Sequence, residues 1–139
     1  ALPICGQNHR MGLYDMVMLK DNHIDFAGGI TKAVHSAHAF LTAQNLNLKI
    51  EVETRNLEEV REALSLDAVD RIMLDNFSVD MMKEAVQIIG GMKETEASGG
   101  VNLDSVRAIA ASAVDFISVG ALTHGVKSMD LSLKAQVYS

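Results

Sequence analysis

From Asn47 onward the chain repeats a unit of about 22 residues, one short strand and one helix joined by short loops, and no other feature constrains the fold as tightly. The strand patterns fall at Asn47 to Thr54, Asp70 to Leu74, Thr95 to Ser98 and Phe116 to Val119, and an apolar run from Met16 to Leu19 precedes them. Between them lie helix patterns. Ile30, Ala33, Val34, Ala37 and Leu41 recur at the spacing of one helical face within Ile30 to Gln44. Asn56, with Glu59 three residues on, opens a helix through Leu64; Ser78 caps one that runs to about Ile89 and is stopped by Gly90-Gly91; Asn102 caps one that runs to about Ala111. Strand, helix, strand in this rhythm means parallel strands joined by right-handed crossovers.

A doubly wound sheet and a barrel both satisfy that rhythm. The placement of chemistry favours the barrel, because Lys20, Glu53, Asp75, Ser98 and Gly120 each fall at a strand's C-terminal end, where barrel enzymes build their sites. A dinucleotide-binding sheet would carry GxGxxG after its first strand, and none is present. Five strands do not close a barrel of ~250 residues. The expectation is an α/β chain forming the later part of a TIM-like (β/α) barrel, about five parallel βα units, over residues 1–139. Ala1 to Asn8 opens without a helix start signal, and the chain reads as beginning inside a longer protein.

At 139 residues, 48% hydrophobic and with mean hydropathy +0.14, the chain can bury one core and is not disordered. No apolar run reaches the ~20 residues of a membrane span, no leader pattern opens the chain, and a cytoplasmic setting is expected. Cys5 stands alone and reads as a small apolar filler, as the methionines, Met16, Met18 and Met73 among them, read as core. A net charge of -6 without a basic stripe argues against nucleic acid, whereas a few local cations still suffice for a small anion.

The side chains at the strand tips define the candidate chemistry. Lys20, Asp21, Asn22 and His23 follow the first strand as a polar cluster, which on the residues alone is equally a solvated βα loop, and Asp25 to Gly29 continues as a turn-rich connector. Glu51 and Glu53 alternate with Ile50 and Val52 and so face one side; with Asp75 at the next strand tip, Glu53 suits acid-base work or the holding of hydroxyls and a metal. Glu51, one pleat lower, is either a structural partner of Lys20 or a site residue. Ser98-Gly99-Gly100 and Gly120-Ala121 follow adjacent strands, where glycine lets backbone N–H groups approach a phosphate. His35 and His38, three apart with no third ligand near, read as exposed helix residues.

The run NHRMGLYDMVMLKDNHI (Asn8 to Ile24) resembles the signature segment of the quinolinate phosphoribosyltransferase family. KIEVETRNLEEV, RIMLDNFS, ETEASGGVNLDSVRAIA and VDFISVGALTHGVKSMDLSLK resemble its later segments, in the family's order, and the blocks cover almost the whole chain. The match weakens at the start, where Cys5-Gly6-Gln7 stands for a longer glycine-rich stretch.

The resemblance implies transfer of phosphoribose from phosphoribosyl pyrophosphate to quinolinate with Mg²⁺, releasing pyrophosphate and carbon dioxide and making nicotinate mononucleotide for NAD synthesis. It carries substrate binding onto His9, Arg10 and Lys20, ribose and metal contacts onto Glu53 and Asp75, and phosphate contacts onto Ser98, Gly99, Gly120 and Ala121. His124 matches the GALTH run, with helix-start packing and a phosphate contact as its two readings. It also implies an N-terminal α/β domain absent from this sequence and a homodimer or higher homo-oligomer whose partner subunit adds arginines. A guanidinium can clasp one ring carboxylate of quinolinate bidentately while an ammonium neutralises the other. Two other readings stay open: a related phosphoribosyltransferase for another acidic ring, and an inactive partial barrel serving as a scaffold.

Overall fold

In the computed structural model the described residues are His9 and 15–122. Eleven elements follow one another: β1 (Met16–Leu19), α1 (Asp21–Ala27), α2 (Ile30–Ala43), β2 (Lys49–Thr54), α3 (Leu57–Leu64), β3 (Arg71–Asp75), α4 (Val79–Ile89), β4 (Glu94–Ser98), α5 (Val106–Ala110), β5 (Phe116–Ile117) and a 3₁₀ turn (Gly120–Leu122). All neighbouring strands are parallel, and the sheet order is β1-β2-β3-β4-β5. A doubly wound sheet reverses direction at a switch point; this one never does. Sequential order of that kind is barrel order, and the chain forms five consecutive strands of a (β/α) barrel, the alternative that the placement of its chemistry favours.

The strand register sorts the side chains into two faces. Leu19, Ile50, Val52, Ile72, Leu74 and Ala97 lie on the face covered by the helices, where Ile24, Ile30, Val34, Leu41, Val60, Met82, Ile89 and Ile109 complete the apolar core. Fully burying one such side chain contributes about 1.5–3 kcal/mol. The other face carries Met18, Glu51, Glu53, Arg71, Met73, Asp75, Glu94, Glu96, Ser98 and Phe116. Helices on one face and polar side chains on the other give each strand its alternation, and they leave the charged positions pointing where a barrel lumen lies.

The helix signals act where the sequence places them. Asn56 Oδ1 accepts from the Glu59 N–H at 2.9 Å, Ser78 Oγ accepts from the Met81 N–H at 3.3 Å, and Gly90 ends α4 in the left-handed conformation at φ 57. Two expectations differ. The polar run after β1 forms α1 instead of a loop, closed by Gly28 at φ 80, with His23 Nδ1 accepting from the Lys20 backbone N–H at 3.1 Å. Only Ile24 of that helix is buried, so no apolar stripe announces it. Asn102 caps a turn and not the helix itself: its Oδ1 takes the N–H groups of Asp104 and Ser105, and α5 starts four residues on at Val106.

At the N-terminal ends, Asp70 Oδ2 accepts from the Ile50 N–H at 2.8 Å, and Asp115 Oδ2 accepts from the Thr95 N–H at 2.8 Å and its hydroxyl at 2.7 Å. These ties satisfy donors at strand starts that the ladder leaves over. His35 and His38 are exposed on α2, as expected. Arg10, Cys5 and His124 lie outside the described residues.

Candidate active site

The C-terminal strand ends bring Lys20, Glu53, Asp75 and Ser98 to one edge of the polar face, with Gly99, Gly120 and Ala121 in the turns that follow. Leu19 pairs with Val52, and the same register sets Lys20 level with Glu53. Glu53 pairs with Met73, so Asp75 stands one pleat higher on the neighbouring strand, and Asp75 pairs in turn with Ser98. Gly99 follows at φ 91 and Gly100 at φ 60. Gly120 and Ala121, both exposed, begin the 3₁₀ turn after β5.

Negative charge is concentrated at this edge. Burial raises the Glu53 carboxyl above its ordinary value and the charges of Asp75 and Asp21 raise it further, while Lys20 and a hydrogen bond from the Asp21 backbone N–H oppose the rise. Among the described residues, three carboxylates offset by one nearby ammonium form an arrangement that a cationic group, or a substrate centre that becomes positive, would relieve.

His9 sits deeper. Its Nε2 is 2.8 Å from Glu51 Oε2 and 3.5 Å from Glu96 Oε2, on the lumen face one pleat below the tips. Glu51 therefore pairs with His9, and Lys20 lies beside Glu53 instead, because the register sets Met18 against Glu51. Glu51 is fully buried, and its Oε1 has no hydrogen-bond partner among the described residues. Burial first, and the neighbouring Glu96 carboxylate second, push its carboxyl up to about 7, against the opposing effects of His9 and Arg71.

Around this pair runs a charge network that the sequence reading does not single out. Arg71 donates from Nη1 to Glu96 Oε2 at 2.9 Å and from Nη2 to Glu94 Oε2 at 2.9 Å, and its Cζ lies 4.0 Å from the centre of the Phe116 ring. Ser118 Oγ donates to Glu96 Oε1, and Lys49 Nζ donates to Glu94 Oε1 at 3.0 Å. The signal that finds these residues is the alternation already used for Glu51 and Glu53, extended to Arg71-Met73-Asp75 and Glu94-Glu96-Ser98. Ligand atoms of His9, Glu51 and Glu96 lie within 4.8 Å of one another, a spacing open to a metal ion. Both Glu96 oxygens are already held, by Arg71 and Ser118, and the guanidinium supplies the positive charge there.

Comparison with known proteins gives this geometry its context. The family model for the quinolinate phosphoribosyl transferase C-terminal domain matches residues 3–134. The chloroplastic nicotinate-nucleotide pyrophosphorylase [carboxylating] of Arabidopsis thaliana is 54% identical over 93% of this chain and 41% of its own length. The probable enzyme of the same name from Bacillus subtilis is 42% identical over 92% of this chain and 43% of its own. This chain spans about two fifths of these curated relatives. The solved nicotinate-nucleotide pyrophosphorylase of Francisella tularensis superposes with TM-score 0.79 at 46% identity, covering 94% of this chain and 45% of that one. A thiamine phosphate pyrophosphorylase from Pyrococcus furiosus, at TM-score 0.63 and 21% identity over 81% of this chain and 52% of that one, shares the fold alone. Matched over nearly its full length, the chain belongs to the quinolinate phosphoribosyl transferase family, of whose C-terminal domain it is a member.

Proposed function

We propose that this chain is the barrel portion of an enzyme that joins quinolinate to phosphoribosyl pyrophosphate, giving nicotinate mononucleotide, pyrophosphate and carbon dioxide in NAD synthesis. The observation that carries the reading is the convergence of Lys20, Glu53, Asp75 and the Ser98-Gly99 turn on one edge of one sheet face, within a chain of this family. The longer enzyme would include an N-terminal α/β domain and act as a homodimer or higher homo-oligomer. The cytoplasmic setting is part of the proposal: no described helix is long and apolar enough to cross a membrane, while the names of relatives range from chloroplastic to mitochondrial.

In this reading Lys20, with His9 and Arg10, neutralises the ring carboxylates and sets the ring nitrogen against the ribose carbon. Glu53 and Asp75 hold the ribose hydroxyls, and their charge favours the positive ribose that forms as pyrophosphate leaves with its bonding pair. The backbone N–H groups of Ser98, Gly99, Gly120 and Ala121 hold phosphate. The nitrogen lone pair forms the new bond to ribose; the adjacent carboxylate then departs as carbon dioxide, and the ring carbon that bore it keeps the bonding pair and takes up a proton. Glu53 and Asp75 fit a divalent cation, since burial first and then the charges of Asp75 and Asp21 oppose the ionisation of Glu53, and a cation would relieve that opposition. Mg²⁺ bound there through the pyrophosphate donor would supply charge neutralisation of the leaving group.

The test is turnover by the full-length protein with phosphoribosyl pyrophosphate and Mg²⁺, offered quinolinate or nicotinate. Release of carbon dioxide and formation of nicotinate mononucleotide from quinolinate is the expected result. Turnover of nicotinate alone would assign a related transferase, and turnover of neither would leave a scaffold.

A further inference from the structure

Asn76 stands between two parts of the site that strand order makes neighbours. It follows Asp75 at the end of β3, with its backbone in the left-handed region at φ 55. Residues other than glycine enter that region at a cost, asparagine at the least. Its backbone N–H donates to the Ser98 carbonyl oxygen at 2.9 Å, one step past the Asp75-Ser98 pair. Its side-chain Nδ2 donates to Asp75 Oδ2 at 2.8 Å. The other end of the amide lies on Gly99: a Cβ built there would collide with Asn76 Oδ1 and Cγ and stand 2.9 Å from its backbone nitrogen.

One side chain therefore touches both the carboxylate read as a ribose contact and the turn read as a phosphate cradle. Local folding does not explain it, because the cap of α4 is Ser78, whose hydroxyl accepts from Met81. Glycine would suit the backbone better but has no amide. Aspartate would fit the shape but has no donor, and it would add a carboxylate beside Asp75 and Glu53. The left-handed backbone alone does not mark the residue, since Asn45 and Ala113 share it; the amide's double contact with Asp75 and Gly99 points to a role in the site.

We propose that Asn76 is a positioning residue for the phosphoribosyl donor, an inference that rests on the function proposed above. Its amide fixes the plane of the Asp75 carboxylate, and its contact with Gly99 fixes the separation of that carboxylate from the glycine turn. The ribose and the phosphate of one donor molecule are thereby registered together.

The experiment uses the full-length protein and two variants, Asn76→Gly and Asn76→Asp, with calorimetric binding of phosphoribosyl pyrophosphate plus Mg²⁺ beside steady-state kinetics. Asn76→Gly keeps the left-handed backbone and loses only the amide, so Tm holds or rises while donor binding weakens about tenfold or more and KM for quinolinate stays within about twofold. Asn76→Asp binds the donor more weakly still. Donor binding unchanged in Asn76→Gly overturns the proposal, as does a loss shared equally by both substrates, which would mark a merely structural role. If the unmodified protein binds the donor but does not turn over quinolinate, the functional reading falls while the binding comparison still decides the role of Asn76. If it does not bind the donor, both fall.

Discussion

At the scale of single residues, the buried Glu51 carboxyl is the feature with the clearest solution consequence. In the fold it titrates near 7, against an ordinary value of 4.5, because burial and Glu96 disfavour its charged form while His9 and Arg71 oppose them only in part. Between those two values the folded chain holds a proton that the unfolded chain has released, so stability falls as pH rises from about 4.5 to about 7 and then stays at its lower level. Glu51→Gln removes this titration. The variant's stability relative to the unmodified protein should therefore be higher at pH 8 than at pH 5, by at most about 3 kcal/mol, in paired urea unfolding curves. An equal difference at both pH values would mean that Glu51 is ionised in the fold throughout. Gly99 carries a second prediction. At φ 91 and against Asn76, Gly99→Ala should cost about 2 kcal/mol or more and weaken binding of the phosphoribosyl donor; unchanged stability would show that the two loops do not meet as described.

Residues of the site were legible in unequal measure, for physical reasons. Glu53, Asp75 and Ser98 could be placed because strand alternation and strand ends are written in the pattern itself, and the register then sets them side by side. Asn76 could not, since its role depends on a left-handed backbone and a neighbouring loop distant in sequence. Arg71, Glu94 and Glu96 carry no signal of their own as a network, because it forms only when the sheet brings their two strands together and buries Glu96 and most of Arg71.

At the scale of elements, the βα rhythm was legible because each boundary carries its own chemistry: Asn56, Ser78 and Gly90 each act as the sequence implies. α1 was not, because a seven-residue helix with one buried side chain has no amphipathic signal, and its start is held by a side chain-to-backbone bond between His23 and Lys20. The strand starts depend on Asp70 and Asp115. Asp115→Ala leaves the Thr95 N–H without its partner, and it should cost about 1–3 kcal/mol in urea unfolding while leaving KM values unchanged, since these ties lie at the end of the sheet away from the site. A change in KM without loss of stability would contradict that division of labour.

At the scale of the whole molecule, sequential strand order decides what the rhythm left open between a wound sheet and a barrel. Helices cover one face, charges line the other, and the strand ends gather Glu53, Asp75 and Ser98 side by side. Among the described residues β1 and β5 each pair along one edge, so closure of the barrel is a property of the longer enzyme proposed here.

The central claim is that the carboxylate edge carries the transfer. Its most direct measurement is kcat/KM for quinolinate in the full-length protein compared with Glu53→Gln, a change that keeps size and removes charge. The account predicts nicotinate mononucleotide formation by the unmodified protein and a loss of about a hundredfold or more in the variant, with Tm held or raised because a carboxyl disfavoured by burial is gone. Equal activity in the two proteins would contradict it.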